Sequence, residues 1–148
     1  NTLRKPSERL NWINNAMANA VKFGGTSLIL DMTLPVIASP KFLSKMKDNA
    51  LKYENYLGLD DYNGVSKLMN GGLTTNWDFD WSKLDLPVLV LTGHFDKVFR
   101  IEDDINNLIK NMKNVKRIEV PECGHLIPIE DPELFSYHLS GFIISLKY

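Results

Sequence analysis

Two ionisable residues, Asp96 and His125, each follow a segment typical of a β-strand. The segments are 87–92, Pro-Val-Leu-Val-Leu-Thr, and 115–120, Val-Lys-Arg-Ile-Glu-Val. In an open α/β sheet, functional side chains lie on the loops beyond the carboxyl ends of the strands. We therefore expect Asp96 and His125 to meet at one edge of the sheet, within hydrogen-bond distance. A carboxylate in that position fixes the tautomer of the imidazole and stabilises the imidazolium formed during proton transfer.

Structural interpretations of the same residues remain open. Asp96 could cap the turn after its strand, and His125 could bond a backbone carbonyl. His94 could form a metal pair with Asp96, but no further ligand follows at a metal-binding spacing, so we expect a loop residue and no metal. Nothing in the sequence suggests a lowered pKa for the Cys123 thiol, so we expect it to pack near the site rather than attack a substrate. His138 is expected to be exposed on the last helix.

The elements that must position this pair occupy residues 83–148. The strand at 87–92 is a continuous aliphatic run, typical of a strand buried on both faces of a parallel sheet. Apolar residues at helical spacing predict a helix over 101–112, and Asp131-Pro132 introduces another over 133–146. The order strand, helix, strand, helix predicts a right-handed parallel βαβ unit, and therefore an α/β fold.

Residues 1–82 differ in character, because helical signals there are separated by glycine pairs or proline. Four helices are predicted, over 7–23, 27–32, 39–57 and 61–69. Ser7 and Ser39-Pro40 are the expected starts, while Gly24-Gly25, Leu34-Pro35, Gly58 and Gly71-Gly72 are the expected stops. The chain therefore divides into a helical region, 1–82, and an α/β segment, 83–148.

Composition narrows the function classes. The 148 residues include 44% hydrophobic and 24% charged residues, with a net charge of −1, which is typical of a globular protein and gives no basic patch for nucleic acid. The single cysteine rules out an intramolecular disulfide and favours a reducing, cytoplasmic setting. No uninterrupted apolar run approaches the ~20 residues of a membrane span, so no membrane partner is expected.

Two longer motifs resemble the α/β-hydrolase family. The run 86–96, Leu-Pro-Val-Leu-Val-Leu-Thr-Gly-His-Phe-Asp, resembles that family's seventh strand and acid loop. The run 121–133, Pro-Glu-Cys-Gly-His-Leu-Ile-Pro-Ile-Glu-Asp-Pro-Glu, resembles its histidine loop. The order acid then histidine also agrees with the family order of nucleophile, acid and histidine. The resemblance covers residues 83–146. Residues 3–82 are similar in length and helical character to the family's cap, and Glu8 to Gly24 faintly resemble the cap of enol-lactonase-like enzymes.

The resemblance implies a partial α/β-hydrolase fold with parallel strands, flanking helices and a helical cap over 1–82. It implies Asp96 and His125 as the catalytic acid and histidine. Val98, just after the acid loop, and Leu126, just after the histidine, are candidates for the wall of a substrate pocket because of these positions. No cofactor is implied. The expected reaction is hydrolysis of a small ester, lactone or amide.

One part of the family's pattern is absent. The family's serine lies in Gly-x-Ser-x-Gly before the cap, and this sequence contains no such pentapeptide. We therefore expect the nucleophile to lie outside this chain, which lacks an initiator methionine, and expect the chain alone to be inactive. The missing N-terminal half, or a second copy, is expected to pair with the first strand. The alternative is a ligand-binding or signalling protein of the same fold without catalysis.

Overall fold

The structure, a computed structural model, describes residues 5–59 and 63–146. Its helices are α1 Glu8–Ile37, α2 Pro40–Met46, α3 Asn63–Thr74, α4 Glu102–Ile109, α5 Ile127–Glu130 and α6 Pro132–Ser145; its strands are β1 Val88–Gly93 and β2 Val115–Val120. Two 3-10 turns lie at Tyr53–Asn55 and Trp81–Lys83. Strand, helix, strand and helix follow one another in the second part of the chain, as the sequence predicts.

The contacts divide the chain into two compact units. The first contains the residues up to Pro35 together with Met46–Phe79, and the second contains Val36–Lys45 and the residues from Asp80 onward. The predicted division at residue 82 lies within three residues of the later boundary. It does not anticipate that residues 36–45 pack with the α/β segment.

β1 and β2 form a parallel pair in the second unit. Val88 lies opposite Val115, and Gly93 lies opposite Val120, so both strands end at the same level. Because the register is parallel and unshifted, the loops that follow the two strands leave the sheet side by side. β1 pairs with β2 alone among the described residues, and its apolar side chains stay half-buried. Burial of β1 on both faces, which its sequence predicts, is therefore not reached within residues 5–59 and 63–146.

Helix α1 is longer than the sequence predicts. Ser7 caps it, because its Oγ accepts the backbone N–H of Leu10 at 3.2 Å. Gly25 interrupts the helical geometry with φ 60° and ψ −157°, which confirms a break at the glycine pair. The predicted stop at Leu34-Pro35 is wrong, since the helix continues to Ile37. Pro35 lies within the last turn of α1, where its missing N–H removes a single hydrogen bond of the helix.

The prediction of one long helix over 39–57 is also wrong. Ser39 does cap α2, its Oγ accepting the N–H of Phe42 at 3.3 Å, but α2 ends at Met46. The chain then turns through Leu51, which has a left-handed φ of 56°. The Asp31 carboxylate accepts both the Leu51 N–H, at 2.9 Å, and the Tyr56 hydroxyl, at 2.8 Å. These tertiary bonds compete with a helix that local periodicity alone would favour.

Helix α3 runs through the glycine pair at which the sequence predicts its end. The predicted start at Asp61 lies outside the described residues. The helix reaches Thr74 because side chains that follow it donate hydrogen bonds to its last carbonyls. The Thr75 hydroxyl donates to the Gly71 carbonyl at 2.7 Å, and Trp77 Nε1 donates to the Gly72 carbonyl at 2.8 Å. Satisfied carbonyls at a helix end replace the glycine-dependent C-cap.

The core of the second unit lies beneath β2. It is built from Val120, Cys123 and Ile127, with Leu91, Leu134 and Phe135 packed against it. Asp131 caps α6, its Oδ1 accepting the Leu134 N–H at 2.9 Å, as Asp131-Pro132 predicts. The short helix α5, which sequence periodicity does not reveal, carries the chain from the histidine loop into α6.

α1 meets the length and composition of a membrane span, with a mean hydropathy of 1.3 over its most apolar window. About 39% of that window is buried within the structure. Buried helices of globular proteins pass the same test, and α1 combines this apolar composition with the break at Gly25.

Candidate functional site

Asp96 and His125 are in direct contact at the carboxyl end of the sheet. His125 Nδ1 lies 2.7 Å from Asp96 Oδ2, as the two strands and their loops predict. The Asp96 side chain is 6% exposed and that of His125 is 21% exposed, so the contact is largely shielded from water. The second oxygen of Asp96, Oδ1, accepts the backbone N–H groups of Val98 at 3.1 Å and Phe99 at 2.8 Å. The carboxylate is therefore fixed by its own loop while it faces the imidazole.

The loops are held together by their backbones. The His94 N–H bonds the Val120 carbonyl, and the Phe95 N–H bonds the Cys123 carbonyl, both at 3.0 Å. A Cβ on Gly93 would lie 1.9 Å from the Gly124 carbonyl oxygen, so only glycine permits this approach. The glycines that flank the two loops bring the acid and the histidine within reach of each other.

A third segment, the end of α1, contacts both loops. The Val36 carbonyl accepts the Lys97 N–H at 2.9 Å, and the Ile37 carbonyl accepts the His125 N–H at 2.6 Å. The last carbonyls of a helix lack intrahelical donors, and here the two loops supply them. A Cβ on Gly124 would lie 2.0 Å from the Ile37 carbonyl oxygen, which shows how closely this segment covers the histidine loop. Sequence reasoning did not assign these residues to the site.

Glu130 also contacts the histidine loop, and sequence reasoning missed it. It is 6% exposed and accepts the backbone N–H groups of Ser39, Gly124 and Leu126. The available signal was a carboxylate five residues after the histidine, within a stretch of otherwise apolar residues and prolines. Buried carboxylates are rare unless they are paired or hydrogen-bonded.

The predicted pocket residues lie close to the pair, but their role stays a prediction. Val98 is 5% exposed, and its amide bonds Asp96. Leu126 is half-buried and directly follows His125. The Phe99 ring packs on the imidazole with centroids 4.3 Å apart and an interplanar angle of 33°. Phe99, which the sequence did not single out, therefore covers one face of the histidine.

His94 takes part in a different group of charges. Its Nδ1 lies 3.1 Å from Glu119 Oε1, and Arg100 bonds the other oxygen of Glu119. Hydrogen bonds from Arg100, and to a smaller extent from His94, hold the pKa of Glu119 below its ordinary value. Because His94 turns to Glu119 while Asp96 turns to His125, these two side chains do not form a metal pair. Within residues 5–59 and 63–146, no group of three potential metal ligands converges.

The structure also tests the predictions for Cys123 and His138. Cys123 is 1% exposed, which confirms that it packs in the core. Burial, with the Glu130 and Asp131 carboxylates adding to it, raises the pKa of the Cys123 thiol above its ordinary value. A buried thiol of raised pKa is a poor nucleophile. The prediction of an exposed His138 is wrong, because the residue is half-buried and its ring lies 5.5 Å from that of Tyr137.

Comparison with solved structures shows the fold. The chain is similar to MGS-M2, an α/β-hydrolase enzyme from a Medee basin deep-sea metagenome library, with a TM-score of 0.75 and 21% identity over 96% of this chain. It is similar to a thermophilic esterase from Thermogutta terrifontis, with a TM-score of 0.72 and 19% identity over 97% of this chain. The enol-lactonase from Burkholderia xenovorans LB400 matches 88% of this chain, with a TM-score of 0.67 and 15% identity.

Comparison of sequences gives one curated relative at moderate identity. A Bacillus subtilis (strain 168) protein, named as a candidate 2-succinyl-6-hydroxy-2,4-cyclohexadiene-1-carboxylate synthase, is 33% identical over 87 residues. That match covers 56% of this chain and 31% of the Bacillus protein. No family model matches the chain. The chain spans 53%, 53% and 49% of the three solved structures, about half the length of each.

Proposed function

Because this chain has the α/β-hydrolase fold over the part that it spans, we propose that Asp96 and His125 are the acid and the histidine of an acyl-transfer hydrolase. The substrate class is a small ester, lactone or amide. One observation carries the proposal: the 2.7 Å contact between Asp96 Oδ2 and His125 Nδ1. Fold alone does not determine function, so this geometry is the main support.

We propose that Nε2 of His125 does the chemistry, and the contact of Nδ1 with Asp96 supports this assignment. An ionised carboxylate only accepts hydrogen bonds, so Nδ1 carries the proton that Asp96 receives. The neutral imidazole then has its lone pair on Nε2, which is the nitrogen able to accept a proton from a nucleophile. Asp96 keeps this tautomer and stabilises the imidazolium once Nε2 is protonated.

The reaction proceeds in two acyl-transfer steps. A serine hydroxyl attacks the carbonyl carbon while His125 Nε2 takes its proton. His125 then returns that proton to the departing alcohol or amine, which leaves an acyl-serine ester. In the second step, water gives a proton to His125 and attacks the ester, and the proton returns to the serine as the carboxylic acid leaves.

We propose that the serine belongs to a part of the protein outside this sequence. No Gly-x-Ser-x-Gly is present, and the buried Cys123 is unsuited to attack. The second edge of β1 supports the proposal, because β1 pairs with β2 alone among the described residues and keeps its apolar side chains half-buried. An unpaired strand edge is a template for another strand. There the remaining part of the sheet, or a second copy of the chain, would pair.

The names of the structural neighbours support a carboxylic substrate. One neighbour is an esterase and another an enol-lactonase, and both names describe cleavage of a carbonyl–oxygen bond. The Bacillus relative bears a synthase name instead. We propose ester or lactone hydrolysis because the acid–histidine pair supplies what acyl transfer needs, a base that is also an acid.

The test uses the full-length protein that contains this chain. We expect turnover of short-chain p-nitrophenyl esters or of small lactones, and we expect His125→Ala to lower kcat by roughly a thousandfold or more. His138→Ala is the matched control, since it removes a histidine on α6 that makes no contact with Asp96, and it should keep full activity. Equal turnover by the wild type and His125→Ala would exclude the proposal.

A non-catalytic binding protein is the alternative outcome. It would show no turnover on esters, lactones or amides, and no covalent labelling by a fluorophosphonate, which reacts with activated serines. Binding of a small ligand without conversion, weakened by changes near Phe99 or Val98, would then favour that function.

A further inference from the structure

The Glu130 carboxylate is a buried group beside the histidine loop with three hydrogen-bond donors around it. Oε2 accepts the N–H groups of Ser39, at 2.9 Å, and Gly124, at 3.0 Å. Oε1 accepts the N–H of Leu126 at 3.2 Å. All three donors are backbone amides, and the side chain is almost fully removed from water. Hydrogen bonds between an ionised acceptor and a neutral donor are stronger than those between neutral groups.

The positions of these donors point to a specific task. Gly124 and Leu126 are the two residues that flank His125, so one carboxylate binds the backbone N–H of the residue on each side of the histidine. The amide between them, that of His125 itself, bonds the Ile37 carbonyl at 2.6 Å. Three successive amides of the histidine loop therefore have fixed acceptors.

Ser39 links this arrangement to the acid loop. Its amide bonds Glu130, and three residues earlier the Val36 carbonyl accepts the Lys97 N–H at 2.9 Å. Lys97 directly follows Asp96. The segment 36–39 thus bonds the acid loop through Val36 and Glu130 through Ser39. It supports the acid loop and the histidine loop together.

We propose that Glu130 is a positioning residue for His125: through the amides of Gly124, Leu126 and Ser39 it fixes the backbone from which the imidazole reaches Asp96. This deepens the proposed function and rests on it where turnover is concerned. Glu130 touches neither the imidazole nor a substrate in this role. It acts by keeping Nδ1 of His125 at 2.7 Å from Asp96.

Glutamine at position 130 is a precise probe of this arrangement. Its amide group has one acceptor oxygen and an NH₂ group that only donates, while the site presents three backbone donors. If the carbonyl oxygen stays with Ser39 and Gly124, the NH₂ group faces the N–H of Leu126. Rotation of the amide would abandon the other two donors instead. The volume of the side chain is unchanged, so a loss of position is separated from a loss of packing.

The direct readout is the His125 Nδ1 proton in NMR spectra of the full-length protein. A proton held between an imidazole and a carboxylate gives a far-downfield signal. When the contact is lost, the proton exchanges faster with water and the signal broadens. We expect this signal in the wild type and its loss or strong broadening in Glu130→Gln. Glu122→Gln is the matched control, because the same substitution in the same loop alters an exposed side chain. It should keep the signal.

Kinetics give the second readout. We expect Glu130→Gln to lower kcat about 10- to 100-fold with little change in KM, because misplacing a catalytic group affects the chemical step. Glu130→Asp keeps the charge on a shorter side chain and should recover part of the loss. Ile105→Ala, a buried change on α4, serves as a stability-matched control that should keep kcat.

The possible results separate the two proposals. A folded Glu130→Gln variant with wild-type kcat and an unchanged Nδ1 signal would overturn the positioning role. If Glu130→Gln does not fold, Glu130→Asp decides by the same two measurements, and unchanged values there would also overturn it. A wild type that shows the signal but turns over no carboxylic substrate would refute the hydrolase function, while loss of the signal in Glu130→Gln would still support positioning by Glu130.

Discussion

Gly93 and Gly124 pack so closely that a methyl group on Gly93 would lie 1.9 Å from the carbonyl oxygen of Gly124. Gly93 is the last residue of β1, and Gly124 directly precedes His125. The distance between the acid loop and the histidine loop is therefore determined by a contact between two residues that have no side chains. Any side chain at Gly93 must push the loops apart.

We accordingly expect Gly93→Ala to weaken the Asp96–His125 contact and to destabilise the second unit. Overpacking of this kind costs about 1–3 kcal/mol, which urea denaturation can measure. Gly141→Ala is the control, since nothing lies within 4 Å of a Cβ at that position of α6 and alanine favours helix. Equal unfolding free energies for the two variants would contradict the close contact.

Asp96→Asn should preserve the fold and remove the chemistry. The asparagine oxygen can still accept the amides of Val98 and Phe99, which keeps the loop in place. Its NH₂ group would face Nδ1 and favour the wrong tautomer of His125, so we expect kcat to fall by about 10³- to 10⁴-fold. Thermal unfolding and kcat are measured on one preparation.

Asp103→Asn, an exposed change on α4, is the matched control for that variant and should leave kcat unchanged. Full activity in Asp96→Asn would show that the carboxylate is not needed. A collapse of the melting temperature would instead indicate that Asp96 acts mainly as a turn residue.

Cys123 should resist thiol reagents in the folded protein. It is 1% exposed and its pKa is raised by burial, so both access and thiolate fraction are low. We expect reaction with 5,5′-dithiobis(2-nitrobenzoate) to be far slower than for glutathione at the same pH, and to become rapid in urea. Fast labelling under native conditions would contradict the burial of this thiol.

The same thiol predicts a pH dependence of stability. The folded pKa lies above the ordinary value of 9.0 that applies to the unfolded chain. Above that value the unfolded state loses its thiol proton first, so it binds fewer protons and the unfolding free energy falls as the pH rises. The contribution is complete below pH 9.0. Cys123→Ala should remove this component of the slope, as measured by urea denaturation between pH 8 and 10.

Gly25→Ala should destabilise the first unit. Gly25 has a φ of 60°, and a Cβ there would lie 2.3 Å from the Leu57 carbonyl oxygen. A left-handed φ and a backbone clash together are expected to cost roughly 2–4 kcal/mol. Gly71→Ala, within α3 and with no atom within 4 Å of the new Cβ, should be neutral or stabilising. Similar denaturation midpoints for the two variants would contradict this account.

The sequence was most informative where chemistry and local pattern coincide. The strand β2 has the predicted bounds, and the contact between Asp96 and His125 follows from two strands that end in register. Apolar and β-branched runs, glycine and proline are local signals, so they identify these loops without knowledge of the rest of the fold.

The sequence was least informative where a residue far away in the chain determines the local structure. The end of the third predicted helix depends on Asp31, which lies 20 residues before the Leu51 amide that it binds. The Glu130 carboxylate bonds Ser39 across 91 residues. Neither contact produces a periodic pattern in the sequence. A residue of almost any type can donate its backbone amide to a remote carboxylate, so the amide partner is not recognisable from its residue type.

Residues 36–45, which complete α1 and form most of α2, pack with the α/β unit although they precede it by some forty positions. Protein engineers who exchange the helical region between related enzymes to alter substrate choice would normally cut near residue 82. Such a chimera would replace the segment whose Val36 and Ile37 carbonyls bond the acid and histidine loops and whose Ser39 amide bonds Glu130. A graft that retains 36–45 from the recipient, with crossover points near 35 and 46, keeps the acid–histidine pair on its native support.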